Sequence, residues 1–121
     1  MLLKKEHNLQ KFIVSYLRKN NIFVFETDVM DGLKFLSRQS DRLVFINHHK
    51  SMGYINGQSD LVILEKGTCL FVEVKTAKGR QQESQKIFEE KVKSHGMRYV
   101  IWRDVEDAVE YVKNLKEEGV R

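Results

Sequence analysis

The run DLVILEKGTCLFVEVK, Asp60 to Lys75, constrains the fold more than any other stretch. Two apolar, β-branched segments flank Lys66-Gly67, and a short glycine-bearing break between such segments predicts a β-hairpin. Side chains alternate along a strand. Leu70, Val72 and Val74 therefore share one face, and Phe71, Glu73 and Lys75 share the other. The first face is core. The second begins with an aromatic ring and ends in two charges. In an antiparallel hairpin the start of the first arm lies beside the end of the second, so Asp60 is brought to Glu73 and Lys75.

The flanking chain supplies helices and further strands. Leu9, Phe12, Ile13, Tyr16 and Leu17 recur at helical spacing and predict an amphipathic helix over about residues 5–19, ended by Asn20-Asn21. IFVFE, Ile22 to Glu26, reads as a strand. Residues 27–58 are the least readable: MDGL suits a hairpin turn or the approach to a short helix through Leu33–Leu36. SDRLVFINHHKSMG predicts a helix from about 41 to 52, capped by Ser40 and closed by Gly53, although Val44 and Ile46 also suit a strand. After Lys75, TAKGRQ is a polar loop. A helix over about 82–95 follows, with Gln81, Gln85, Phe88 and Val92 in one stripe. RYVIW, Arg98 to Trp102, is a strand whose Trp102 belongs to the core. Asp104 caps a last helix that buries Val105, Ala108, Val109, Val112 and Leu115. The order predicts an α/β fold with a mixed β-sheet flanked by helices.

A chain of 121 residues favours one domain with one core. No segment approaches the ~20 apolar residues of a membrane span, the N-terminus lacks the apolar region of a secretory signal, and a cytoplasmic location is expected. The single cysteine, Cys69, excludes an internal disulfide and a multi-cysteine zinc site, and reads as core packing. A formal charge of +4 permits an anionic partner without requiring one. There is no Walker loop, no dinucleotide fingerprint and no Ser-His-Asp spacing. The pair His48-His49 has no further ligands at zinc spacing and reads as surface or DNA-facing.

Two carboxylates and an ammonium at one end of a sheet suit a hard divalent cation, which takes oxygen ligands and keeps several waters. Such an ion polarises a phosphate, and a neighbouring lysine offsets charge that grows there. Glu-x-Lys in a strand equally suits a solvent-facing ion pair worth only tenths of a kcal/mol. The residues alone leave both readings open.

Gly57-Gln-Ser-Asp60, then Glu73-Val-Lys75-Thr, then AKGRQQESQ ending at Gln85, then HGMRYVIWRDVED, His95 to Asp107, resembles the PD-(D/E)xK nuclease superfamily, and within it the small standalone VRR-NUC family of phages and bacteria. The resemblance covers about residues 50–107, and nearly the whole chain once the first helix is included. It implies a restriction-endonuclease-like core and a single nuclease domain over residues 1–121. It implies Mg²⁺, or Mn²⁺ in its place, held by Asp60, Glu73 and the main-chain carbonyl of Val74. Lys75 would face the attacking water and the scissile phosphate, Gln85 would reach back toward Lys75 or the water position, and Glu6, on the 6-10-13-17 line of the first helix, would point at the site. Read without the family, Gln85 is a helix-start residue and Glu6 a solvated acid near a helix N-terminus. The family implies a dimeric enzyme that cuts branched DNA such as four-way junctions. Lys78, Arg80 and Lys86 around the site, and Lys50 ahead of it, would contact DNA phosphates; Lys50, Tyr54 and Asn56 equally suit a plain polar loop. The sequence departs from the family at Ser59, where proline is frequent. The alternative from another class is a binding or assembly module that keeps the nuclease fold without turnover.

Overall fold

The computed structural model describes residues 2–27, 33 and 35–119; for Leu2, Leu3 and Lys4 it describes the backbone only. Four helices and four strands follow in the order α1 (Leu2–Lys19), β1 (Val24–Glu26), α2 (Gln39–Ser51), β2 (Leu61–Glu65), β3 (Thr68–Val74), α3 (Glu83–Ser94), β4 (Arg98–Trp102) and α4 (Val105–Glu117). The strands lie in the order β1-β2-β3-β4. β1/β2 and β2/β3 pair antiparallel, and β3/β4 pair parallel through the α3 crossover. This is the mixed sheet with flanking helices that the pattern predicts.

The hairpin turns at Lys66-Gly67, with Glu65 opposite Thr68 and Gly67 at φ 79°, a left-handed value that favours glycine. Leu61, Ile63, Leu70, Val72 and Val74 share the core face with Val24 and Trp102. Ile13 and Leu17 of α1 and Ala108 and Val112 of α4 cover it. The opposite face is covered by α3, where Phe88 packs its ring against Phe71 and Tyr99. Helices on both faces bury Val72, Glu73, Val74 and Lys75 in succession. LFVEVK is thus a strand buried on both sides, and its two charges lie in the interior.

Several boundaries differ from the sequence reading. β1 begins at Val24 rather than Ile22, because the Ile22 amide donates to the carbonyl of Leu17 at the end of α1. Asn21, at φ 63°, makes that reversal. The N-cap of α2 is Arg38, with no side-chain cap, and Ser40 lies inside the first turn. Gly53 follows the last turn at φ 110°, as a closing glycine should. Leu33 and Leu36 are joined by a turn hydrogen bond. Of MDGL, Met30, Asp31 and Gly32 lie outside the described residues. Cys69 is half-buried on the face opposite Leu70, not in the core. Among the described residues no helix is long and apolar enough to cross a membrane.

Candidate active site

The β2/β3 register, carried one residue beyond Leu61–Val72, sets Asp60 opposite Glu73. Asp60 Oδ2 accepts from the Val74 amide at 2.8 Å. Its own carbonyl accepts from the Thr27 amide at 3.0 Å, just past the end of β1. Both ends of Asp60 are thereby tied to the sheet, and its carboxylate is held at the sheet's edge. Ser59 is buried; its hydroxyl donates to Leu61 O at 3.2 Å and its carbonyl accepts from the Thr27 hydroxyl. Hydrogen bonds thus fix the turn that precedes Asp60.

Glu73 is 2% exposed and Lys75 7%. Lys75 Nζ lies 3.7 Å from Glu73 Oε2. The Lys75 amide donates to Trp102 O at 3.0 Å, extending the β3/β4 ladder and fixing where the side chain leaves the sheet. Burial pushes the Glu73 carboxyl up to about 9; the charge of Asp60 adds to that, the ammonium of Lys75 opposes it, and the charge of Glu6 adds further. Burial and Asp60 together outweigh the lysine, so Glu73 holds a proton at neutral pH. Asp60 stands close enough to share it in a hydrogen bond. Among the described residues no group donates to Glu73 Oε1. A buried acid with one bare oxygen beside a second acid is costly for folding alone, and such arrangements concentrate at functional sites.

Gln85 uses both ends of its amide. Its Oε1 accepts from the Gln82 amide at 2.7 Å, closing a capping box at the start of α3. Its Nε2 donates to Glu73 Oε2 at 2.9 Å. The helix-start reading and the reach-back reading therefore hold together, although the amide meets Glu73 rather than Lys75. Gly57 explains how α3 comes so near. At φ 86°, a Cβ there would lie 2.4 Å from the carbonyl carbon and oxygen of Ser84 and 2.8 Å from the Gln85 amide. Neither backbone group can rotate away. A Gly57→Ala protein is expected to melt at least about 5 °C lower, from the left-handed backbone penalty plus the displaced helix start. Thermal denaturation followed by circular dichroism checks this.

The remaining candidates surround this centre unevenly. Lys78 and Arg80 lie exposed in the loop after β3, which Arg103 clamps by donating to Thr76 O at 2.9 Å and Gly79 O at 2.6 Å. Lys86 is exposed in the first turns of α3. Lys50 is exposed near the end of α2, a helix with no buried residue. His49 packs its ring on Phe45, while His48 is exposed. Tyr99 and Arg103 lie within HGMRYVIWRDVED, a segment of the family resemblance, yet neither was expected at the site. The Tyr99 hydroxyl accepts from Gln81 Nε2 at 3.3 Å. Burial first, then the negative field of Glu73, pushes that phenol well above its ordinary value, so it stays protonated at the wall of the site.

Among the described residues no group of three or more His, Cys, Asp or Glu side chains forms a metal cluster. The pair Asp60 and Glu73 offers hard oxygen donors only, with Glu73 Oε1 bare. A main-chain oxygen and waters would have to complete a shell around them. That donor set fits Mg²⁺ or Mn²⁺ and does not fit the nitrogen- and sulfur-rich environment of structural zinc.

No family model matches the sequence, and no curated protein matches it by sequence. Solved structures do match. A "VRR_NUC domain protein" superposes with a TM-score of 0.63 at 14% identity, covering 89% of this chain and 84% of its own. A "VRR_NUC domain" superposes with a TM-score of 0.59 at 19% identity, covering 93% of this chain and 95% of its own. The site described above sits on a frame shared almost end to end with these proteins, and the chain has the VRR-NUC, restriction-endonuclease-like fold.

Proposed function

We propose that this chain is one nuclease domain that hydrolyses phosphodiester bonds of DNA with a divalent cation. The observation that carries the reading is the buried Glu73, with one bare oxygen, one oxygen pinned by Gln85, and Asp60 and Lys75 beside it. Asp60, Glu73 and the Val74 carbonyl would hold the cation, with Mg²⁺ first and Mn²⁺ as its substitute. When bound, the cation supplies positive charge against the phosphate oxygens and acidity for water.

The protein groups do the rest. Gln85 holds Glu73 Oε2 and leaves Oε1 without a donor, so Oε1 is the oxygen that would face a cation, and Glu73 would give up its proton when one binds. The Lys75 ammonium orients water toward phosphorus and offsets charge on the phosphate as it builds. The water oxygen forms the new P–O bond and its proton passes to solvent while the bond to the 3′ oxygen breaks. The electron pair leaves with that oxygen, which takes a proton. The products carry a 5′ phosphate and a 3′ hydroxyl. Lys78, Arg80 and Lys86 line the approach, and Glu6 contributes its charge from α1. Tyr99 and Arg103 hold the wall and the loop rather than the reacting atoms.

A chain of this size has little surface with which to grip a branch point, so a homodimer acting on branched DNA such as a four-way junction fits best. Four-way junction, flap and linear duplex DNA incubated with the protein and Mg²⁺ test this directly. Preferred cutting of the junction is expected, with a dimer in sedimentation. Equal cutting of all three removes the branch preference. DNA held equally with and without Mg²⁺ and never nicked assigns the fold to a binding module.

A further inference from the structure

Between α1 and the β1 edge of the sheet runs a half-open groove of about 710 Å³. His7, Lys11, Val14 and Arg18 form its helical wall, and Phe25 and Glu26 its strand wall. One end meets the site described above: Glu26 pairs with Leu61, next to Asp60, and His7 follows Glu6, whose charge reaches Glu73. The other end lies where Arg18 Nη2 donates to Val24 O at 3.3 Å. From His7 to Arg18 the helix rises roughly 16 Å.

We infer that this groove is a binding track for single-stranded DNA that leaves the cleavage site along α1, an inference that rests on the nuclease reading. Phe25 is 39% exposed and Phe23 65%, and their rings meet edge to face at 6.1 Å. Two large rings left open, one on the edge strand and one just before it, are not core packing. Of the two, Phe25 lines the groove; opposite it stand the Lys11 ammonium and the Arg18 guanidinium, and among the described lining residues Glu26 supplies the one carboxylate. Cations along one wall and an aromatic ledge along the other are the components that hold unpaired strands, the cations tracking phosphates and the rings stacking bases. A duplex keeps its bases stacked inside and offers this ledge nothing to stack. The aromatic wall therefore favours an unpaired segment, such as the arm of a branch or flap.

Fluorescence anisotropy with a short oligothymidylate and a blunt duplex, both in EDTA, tests the track without any need for cleavage. Phe25→Ala is expected to weaken oligothymidylate binding about tenfold, the loss of one base stack, with duplex affinity within twofold. Phe25→Tyr is expected to restore it, because the ring and not the bulk does the stacking. Lys11→Gln is expected to flatten the dependence of log affinity on log salt by about 0.7, the loss of one phosphate contact. Lys11 and Phe25 are both exposed, so the variants should fold, which circular dichroism verifies. Unchanged oligothymidylate affinity in both variants overturns the inference, as does equal weakening for strand and duplex. A Phe25→Ala protein that becomes monomeric with unchanged affinity assigns the ledge to a subunit contact and overturns it as well. If the wild type binds the oligonucleotide through these residues but never cuts DNA, the nuclease reading fails and the track stands. If the wild type cuts DNA and the variants bind like it, the track fails alone.

Discussion

A Lys75→Ala protein is expected to lose about 10³-fold or more in single-turnover DNA cleavage while its DNA affinity changes only a few-fold. The ammonium is buried at the end of β3, 3.7 Å from Glu73 Oε2, and its backbone is locked to β4 through Trp102. A charge so confined has little freedom and little solvent, so its effect on a phosphate that gains charge is far greater than that of an exposed lysine. Groups that orient water or stabilise developing charge contribute about 10²–10⁴-fold each. Lys75→Met keeps the aliphatic stem and its packing, and should be as inactive as alanine. Lys75→Arg should fail too, because a planar guanidinium neither fits the space of an ammonium nor presents a point charge. Lys78, Arg80 and Lys86, being exposed, should each cost affinity at low salt rather than the chemical step. Lys75→Ala activity within tenfold of wild type would take this side chain out of the chemistry.

The parts of this site that could be read in advance are those governed by local rules. The Lys66-Gly67 turn and the alternation through LFVEVK are enough to place Asp60 against Glu73 and Lys75, and the hydrogen bond from the Val74 amide to Asp60 is that register made visible. The helix over residues 83–94 was legible for the same reason, with Val92 on its buried stripe. Gln85 was legible only in halves, because one amide serves two neighbours and the second, Glu73, is set by tertiary packing. Gly57 could be read as a motif letter. The reason for it lies in the approach of Ser84 and Gln85, far along the chain, and no local rule contains that distance. The weak features had weak causes. α2 has no buried residue and no side-chain cap at Arg38, so no stripe marked it, and the Ser40 signal placed its start inside the first turn. The protonated state of Glu73 depends on the helices that exclude water from both faces of β3, which no pattern of residues in one strand reveals.

That protonated state gives a second large effect, in stability rather than rate. Glu73→Gln is expected to raise the melting temperature of the cation-free protein at about pH 8 by on the order of 5–10 °C, while abolishing cleavage. In the unfolded chain this carboxyl titrates near its ordinary value of 4.5; in the folded protein burial and Asp60 hold its proton to about 9. Between those values the unfolded state binds fewer protons than the folded one, so stability falls as pH rises. The contribution is complete below the unfolded value and is lost as pH climbs through the folded one. Glutamine has the same shape and carries no proton to lose, so its melting temperature should be flatter across that window. At about pH 5 the two proteins should melt within a few degrees of each other, since both then carry a neutral group at this position. Mg²⁺ should raise the melting temperature of the wild type at the higher pH, where giving up the proton is easiest, and leave Glu73→Gln unmoved. Melting curves of the two proteins across this pH range, with and without Mg²⁺, make the comparison. Parallel pH profiles in EDTA would mean that Glu73 is already ionised in the folded protein, with Lys75 rather than a shared proton balancing it.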